Sequence, residues 1–213
     1  MPDSAAHDER GNDRHAHPGH GHFGRGHHGH DVMSGLVVRP YDLFVGGLLM
    51  RGTYAAMAGL LGGFVPTHGT VLDVGTGPGR LPVLLAKRRP DLTVIGVDPS
   101  ADMLERARRH SAGLSMVRFV ETGSESLPLA DTSVDAVVSS LSSHHWADRS
   151  VALAEQVRVL KRDGRFWLLD LKKHMASDLR ATVVRSGLSL LDEPSPLGRG
   201  TRRRFDLISA VKP

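Results

Sequence analysis

The stretch Asp73-Val74-Gly75-Thr76-Gly77-Pro78-Gly79 places three glycines at alternate positions just before an apolar run of helical spacing. Glycine lets a chain turn tightly and come close to a ligand, and a helix N-terminus adds unpaired N–H groups. Asp98 stands 19 residues after Gly79, at the end of a second apolar run. An acid so placed can accept hydrogen bonds from both ribose hydroxyls of an adenosine group lying across the turn, and Asp73 supplies a second anchor. The spacing is G-x-G-x-G: Arg80 stands where a nicotinamide-dinucleotide fold carries its third glycine, and no Gly-Lys-Ser/Thr follows to make a P-loop. Farther along, His145 and His144 are candidates for proton transfer near neutral pH, in that order, with His174 a weaker third.

Such residues need a strand–turn–helix frame, and the hydrophobic pattern supplies one. Thr70–Val74 reads as a short strand, followed by a helix to Arg89 carrying Leu81, Val83, Leu84 and Leu85, stopped by Pro90. Leu92–Val97 is a second strand, and Ser100 caps a helix running to about His110. Met116–Val120 and Val134–Ser140 are strands three and four. Asp148 caps a helix with Val151, Ala154, Val157 and Leu160 on one face, and Gly164 is placed to end it. Phe166–Asp170 is strand five, a helix over Asp178–Ser186 ends at Gly187, and strands follow near Leu188–Leu191 and Arg204–Val211. This alternation predicts an α/β fold, a doubly wound, Rossmann-like and mostly parallel sheet. Ahead of it, Leu43, Met50, Tyr54, Met57 and Leu61 form a helical stripe within the apolar residues 36–65. The run is long enough to cross a bilayer. Arg51 near its middle and six glycines between Gly46 and Gly63 favour instead an amphipathic helix packed on its own domain, without stable membrane insertion.

Four blocks in order carry a family resemblance: Asp73-x-Gly75-x-Gly77-x-Gly79, Asp98-Pro99, Glu125-Ser126-Leu127-Pro128-Leu129-Ala130-Asp131-x-x-Val134-Asp135, and Leu160-Lys161-Arg162-Asp163-Gly164-Arg165. Over roughly residues 40–213 the chain resembles the class I S-adenosylmethionine-dependent methyltransferases, in the small-molecule branch that includes ubiquinone and menaquinone methyltransferases. The resemblance implies seven strands in the order 3-2-1-4-5-7-6 with strand seven antiparallel, S-adenosyl-L-methionine as cofactor and a small-molecule acceptor. It implies that Gly75, Gly77 and Gly79 face the methionine part, with Thr76 also among the cofactor-binding residues, that Asp73 helps bind its amino group, and that Asp98 holds the ribose with Pro99 and Met103 beside the adenine. Ser139, Ser140 and Leu141 would line the methionine side and open toward the acceptor. Many relatives carry an Asp at the position of Gly123 to bind the adenine amino group; here Ser124 or backbone groups substitute, with Glu125 also among the cofactor-binding residues. Strand four is followed by Ser139-Ser140-Leu141-Ser142 and not by an Asn-Pro-Pro-Tyr type sequence, which argues against methylation of base amines. The segment between strands five and six is short, so the N-terminal helix is expected to form much of the lid and offers a face for a homodimer. Two readings follow: methyl transfer to a small molecule by in-line displacement, or a non-catalytic cofactor-binding protein with a metal-binding tail.

The 213 residues suffice for one domain, over 32–213, preceded by a distinct tail over 1–31. There is no cysteine, which excludes disulfides, thiolate metal sites and cysteine nucleophiles. The net charge is +4; the tail, with three Arg against five acids, is −2 and the remainder +6. That excess lies in short clusters such as Lys87-Arg88-Arg89 and Arg202-Arg203-Arg204, and aromatics are only 5%, which argues against a nucleic-acid partner. The N-terminus has no apolar run that could act as a signal peptide, so a cytoplasmic location is the default. Eight of the thirteen histidines lie in the tail among six glycines, a composition expected to be disordered. Besides His7 they are His15, His17, His20, His22, His27, His28 and His30, whose His-x-His spacing lets two imidazoles reach one Ni²⁺ or Zn²⁺ ion. Because only neutral imidazole ligates, Ni²⁺ binding by the full chain is expected to weaken sharply below about pH 6. Calorimetry on full-length and tail-deleted protein checks this, and tail deletion is expected to leave cofactor affinity unchanged.

Overall fold

The computed structural model describes residues 48–175 and 178–213. The tail histidines, and Leu43 with the rest of residues 36–47, lie outside the described residues. In chain order the elements are α1 (Leu48–Phe64), β1 (Thr70–Val74), α2 (Arg80–Arg88), β2 (Thr93–Asp98), α3 (Ala101–His110), β3 (Val117–Glu121), β4 (Val134–Ser140), α4 (Arg149–Val159), β5 (Leu160–Leu171), α5 (Leu179–Arg185), β6 (Ser189–Leu190), α6 (Arg199–Arg202) and β7 (Phe205–Val211). Single 3₁₀ turns at Ser143–His145 and Lys172–His174 follow β4 and β5.

The seven strands form one sheet in the order β3-β2-β1-β4-β5-β7-β6, as expected, with β7 antiparallel to both neighbours. Strand residues alternate between its faces. Val71, Val94, Ala136, Val138, Trp167 and Leu169 pack with Met57 and Leu61 of α1 and Leu81 and Leu85 of α2. Leu72, Ile95, Val137, Phe166 and Leu168 pack on the other side with Leu153 of α4 and Leu179 and Val183 of α5. The parallel strands β1, β2, β4 and β5 all end at one edge, where the loops that could bind a ligand gather. The outer strands are guarded: β6 has two residues, and β3 exposes Arg118 and Glu121.

Two expectations fail in α4 and just beyond it. The helix buries Ala152, Leu153, Gln156 and Val159, while Val151 is 45% exposed. The predicted set recurs every three residues, and at 100° per residue each step drifts by about 60°, which carries Leu160 to the side opposite Val151. Nor does Gly164 end the helix. It ends at Val159, and Leu160 already pairs with Val134 as the first residue of β5. Gly164 lies inside β5, where a register shift carries the pairing from Leu160 to Arg165.

α1 has no basic residue in its last turn to meet its unpaired carbonyl groups. Arg89, at the end of α2, supplies the cation. Its Nη1 donates to Gly62 O at 2.6 Å and Val65 O at 3.1 Å, while Nε and Nη2 grip the Asp91 carboxylate at 2.8 and 2.7 Å. Arg89→Ala is therefore expected to lower the free energy of unfolding by about 1.5–3 kcal/mol, and Arg89→Lys, which lacks the planar fork, to recover only part of that loss. Urea denaturation of the three proteins measures it.

Candidate active site at the carboxyl ends of the strands

β1 leads directly into the glycine turn, which β2 braces. Gly75 N and Thr76 N both donate to Val97 O, at 2.8 and 2.9 Å. Gly77 N donates to Asp98 Oδ2 at 2.8 Å, and Asp98 Oδ1 accepts from Ser100 N at 2.9 Å. Each carboxylate oxygen of Asp98 thus keeps acceptor capacity for a further donor. Gly75 has φ +71°, and a Cβ there would lie 2.2 Å from the Cβ of Ser142, so no side chain fits. A Cβ at Gly77, with φ +53°, would meet nothing within 4 Å among the described residues, and its open side faces space a ligand can use.

Asp73 lies beneath this turn at 1% exposure. Its Oδ2 accepts from Thr76 Oγ1 at 2.7 Å, and its Oδ1 is buried with no hydrogen-bond partner among the described residues. Burial pushes its pKa up to about 7, against the bond from Thr76 and with a further push from the charge of Asp98. Asp98 is also raised, by burial, against the N–H groups of Ser100 and Gly77. An orphaned carboxylate oxygen beside an open backbone turn fits a ligand that brings an ammonium group.

From the other side of β1, Ser142 closes the turn. Its Oγ donates to Val74 O at 2.9 Å, so the 2.7 Å contact with Ser139 Oγ has Ser139 as donor. Leu141, at φ +58°, bends the chain so that Ser142 reaches β1. Ser140 is 7% exposed, and its hydroxyl makes no hydrogen bond among the described residues. Ser142 was not singled out in the sequence for any role. Its signal, a small polar residue opposite Gly75, exists only once β1 and β4 are known to be neighbours.

The loop after β3 carries Ser124 and Glu125. Ser124 is buried, and Glu125 Oε1 accepts from Ala147 N at 2.8 Å and Asp148 N at 3.3 Å. A Cβ at Gly123 would lie 3.0 Å from Glu125 Oε2, so the Glu125 carboxylate borders the space where a side chain at 123 would begin. Two α4 residues missed in the sequence hold this loop. Arg158 donates to Leu127 O and Leu129 O at 2.9 and 2.8 Å, and Glu155 Oε2 accepts from Leu127 N at 2.9 Å. The Arg158 guanidinium in turn holds Glu155 below the usual carboxylate range. Met103 is buried on α3, and Pro99 is exposed beside Asp98.

His144 and His145 occupy the turn after β4. The rings of His144 and His145 lie 4.1 Å apart, and that of His174 stacks on His144 at 4.2 Å and 12°. Trp146 packs on the core beneath α4 and α5. Among the described residues no group of three or more His, Asp or Glu is arranged to hold a metal ion, and no helix is long and apolar enough to cross a membrane.

The doubly wound sheet gathers the glycine turn and Asp98 at its switch point, and comparison with known proteins adds what the chain is similar to. Residues 72–168 match the family model described as a methyltransferase domain. Demethylmenaquinone methyltransferase of Thermus thermophilus is 38% identical over 101 residues, which are 47% of this chain and 46% of that enzyme. An uncharacterized methyltransferase of Mycobacterium tuberculosis is 39% identical over 150 residues, 67% of this chain and 59% of that protein. The match therefore spans less than two thirds of either relative's length. The crystal structure of an S-adenosylmethionine-dependent methyltransferase from Aquifex aeolicus superposes with a TM-score of 0.68 at 19% identity, over 83% of this chain and 97% of that one. By these likenesses and by its strand order the chain is similar to the class I S-adenosylmethionine-dependent methyltransferases.

The raised pKa of Asp73 fixes a pH dependence. Because the folded value, about 7, lies above the ordinary 3.8, the free protein loses stability as pH rises through that interval. A ligand ammonium needs the ionised form, so affinity for S-adenosylhomocysteine is expected to fall by up to about tenfold per pH unit below 7. In Asp73→Asn that slope should flatten, which calorimetry at several pH values reads directly.

Proposed function

We propose that the protein transfers the methyl group of S-adenosylmethionine to a small-molecule acceptor. The observation that carries this reading is the buried Asp73 Oδ1, without a hydrogen-bond partner among the described residues, beside the open turn at Gly77. When bound, S-adenosylmethionine supplies an electrophilic methyl group on a sulfonium. Asp73 takes the amino group of the methionine part, and the backbone of Gly75, Thr76, Gly77 and Gly79 lies against that part of the molecule. Asp98 accepts from the ribose hydroxyls, and Pro99 and Met103 flank the adenine. Ser124 and the Glu125 Oε2 left free by the backbone bonds meet the adenine edge in place of the side chain that Gly123 lacks. Ser139, Ser140 and Leu141 line the methionine side. With this much of the donor fixed, the main contribution of the protein is to align the acceptor and exclude water. His144 and His145 stand where an acceptor would lie and can take a proton from it.

The substrate named for the Thermus relative, a demethylmenaquinone, makes aromatic oxygen-bearing acceptors the first to assay. Full-length protein incubated with methyl-labelled S-adenosylmethionine and such acceptors is expected to yield labelled product. In parallel, Asp98→Ala is expected to weaken S-adenosylhomocysteine binding by about 1.5–3 kcal/mol for each charge-assisted bond lost. Unaltered affinity in that variant, or no binding by the wild type, would overturn the reading.

A further inference from the structure

Asp170 ends the inner part of β5 with its side chain completely buried, a costly place for a carboxylate. Donors from three residues converge on it: Ser143 Oγ on Oδ2 at 2.6 Å, the backbone N–H of Leu171 on Oδ1 at 2.7 Å, and His144 Nδ1 at 3.0 and 3.1 Å from the two oxygens. Burial raises its pKa, but the bonds from His144 and Ser143 outweigh burial and hold it below the ordinary value. A carboxylate can only accept, so in neutral His144 the proton sits on Nδ1 and Nε2 keeps its lone pair. Among the described residues no hydrogen bond takes up Nε2, and the His144 side chain is 20% exposed. The stacked ring of His174 on one side and the tilted ring of His145 on another restrict its rotation. The bond from Ser142 to Val74 O fixes the same loop against the end of β1, where the methyl donor would lie.

Resting on the methyl-transfer reading, we propose that Asp170 is a positioning residue that presents His144 as a general base, and that the acceptor is therefore one that must lose a proton, a hydroxyl or an acidic carbon. In this step the acceptor O–H or C–H bond breaks. Its proton goes to His144 Nε2, and the electron pair stays on the acceptor atom as the nucleophile. The imidazolium charge then faces Asp170, and the proton leaves to water from the exposed edge of the ring. Among the described residues the charged and titratable groups at this cluster of rings are Asp170 on β5, His145 on the same turn as His144, His174 after β5, and Lys173 and Arg149, whose charges act on His174. Burial, and then the charge of His144, push His145 and His174 below the ordinary imidazole range, and neither ring has the carboxylate contact that orients His144. In this arrangement His144, rather than His145, is the base.

The test uses the full chain with ¹⁵N-labelled imidazoles and three probe acceptors: catechol, 1,4-naphthohydroquinone and histamine. Nitrogen NMR is expected to find neutral wild-type His144 protonated on Nδ1. Asp170→Asn turns an amide N–H toward Nδ1 and is expected to move the proton to Nε2. Transfer of labelled methyl to the hydroxyl or carbon probe is expected to drop by about 10²–10⁴-fold in that variant, with S-adenosylhomocysteine affinity kept within about twofold. Ser143→Ala, which removes one donor, should give a smaller drop and preserve folding if Asp170→Asn does not. An Nε2-protonated wild type, unchanged kcat in Asp170→Asn, or transfer to histamine alone would each overturn the proposal. Failure of the wild type to bind S-adenosylhomocysteine would overturn the methyl-transfer reading instead, and the tautomer measurement would stand apart from it.

Discussion

The close approach of Gly75 to Ser142 is the constraint on which the site depends. With 2.2 Å between the Ser142 Cβ and the place a Cβ would occupy at 75, the loop after β4 can seal the end of β1 only if residue 75 has no side chain. That contact lets Ser142 hydrogen-bond Val74 O and brings Ser139 into the same chain of bonds. It also sets where the following 3₁₀ turn runs, and so where His144 and His145 stand relative to the glycine turn. On its other side the same turn is bound to Val97 O and Asp98. One backbone segment is thus held from two neighbouring strands, which leaves the outward side of Gly77 as its free face.

Three buried carboxylates end up in different states for a reason that can be read from their donors. Asp73 receives one hydroxyl and is pushed up to about 7. Asp98 receives two backbone N–H groups and is still raised, with burial the larger influence. Asp170 receives a hydroxyl, a backbone N–H and an imidazole, and is held low despite full burial. The number and kind of hydrogen bonds to the charged form decide the outcome once desolvation is common to all three. Asp73 is left in want of a cation, and Asp170 already has its partner.

Much of the fold was legible in the sequence because strand and helix runs here are short and clearly punctuated. Thr70–Val74 and Val134–Ser140 occur with the expected boundaries, and Ser100 accepts from Met103 N as a cap should. The glycine turn and Asp98 were legible because their spacing alone carries the geometry. The buried face of α4 was misread because a three-residue recurrence resembles helical spacing over one step and departs from it over three. Gly164 was misread because a glycine after a helix and a glycine at an irregularity in a strand look alike in sequence. Asp170, Ser142, Glu155 and Arg158 could not be found at all by local pattern. Each acts on a residue 26 to 68 positions away, and only the strand order makes them neighbours.

The two ends of the sheet have a bearing on how copies of this chain can meet. An unpaired strand edge is a template onto which another chain can add by backbone hydrogen bonding, unless it is too short or carries charge. Here β6 offers two residues, and β3 interrupts its length with Arg118 and Glu121 exposed to solvent. Neither edge presents a long apolar ribbon, so lateral growth of the sheet is disfavoured at both. Association between copies through side chains on helices or loops would leave the central strands that carry the glycine turn in register as they are.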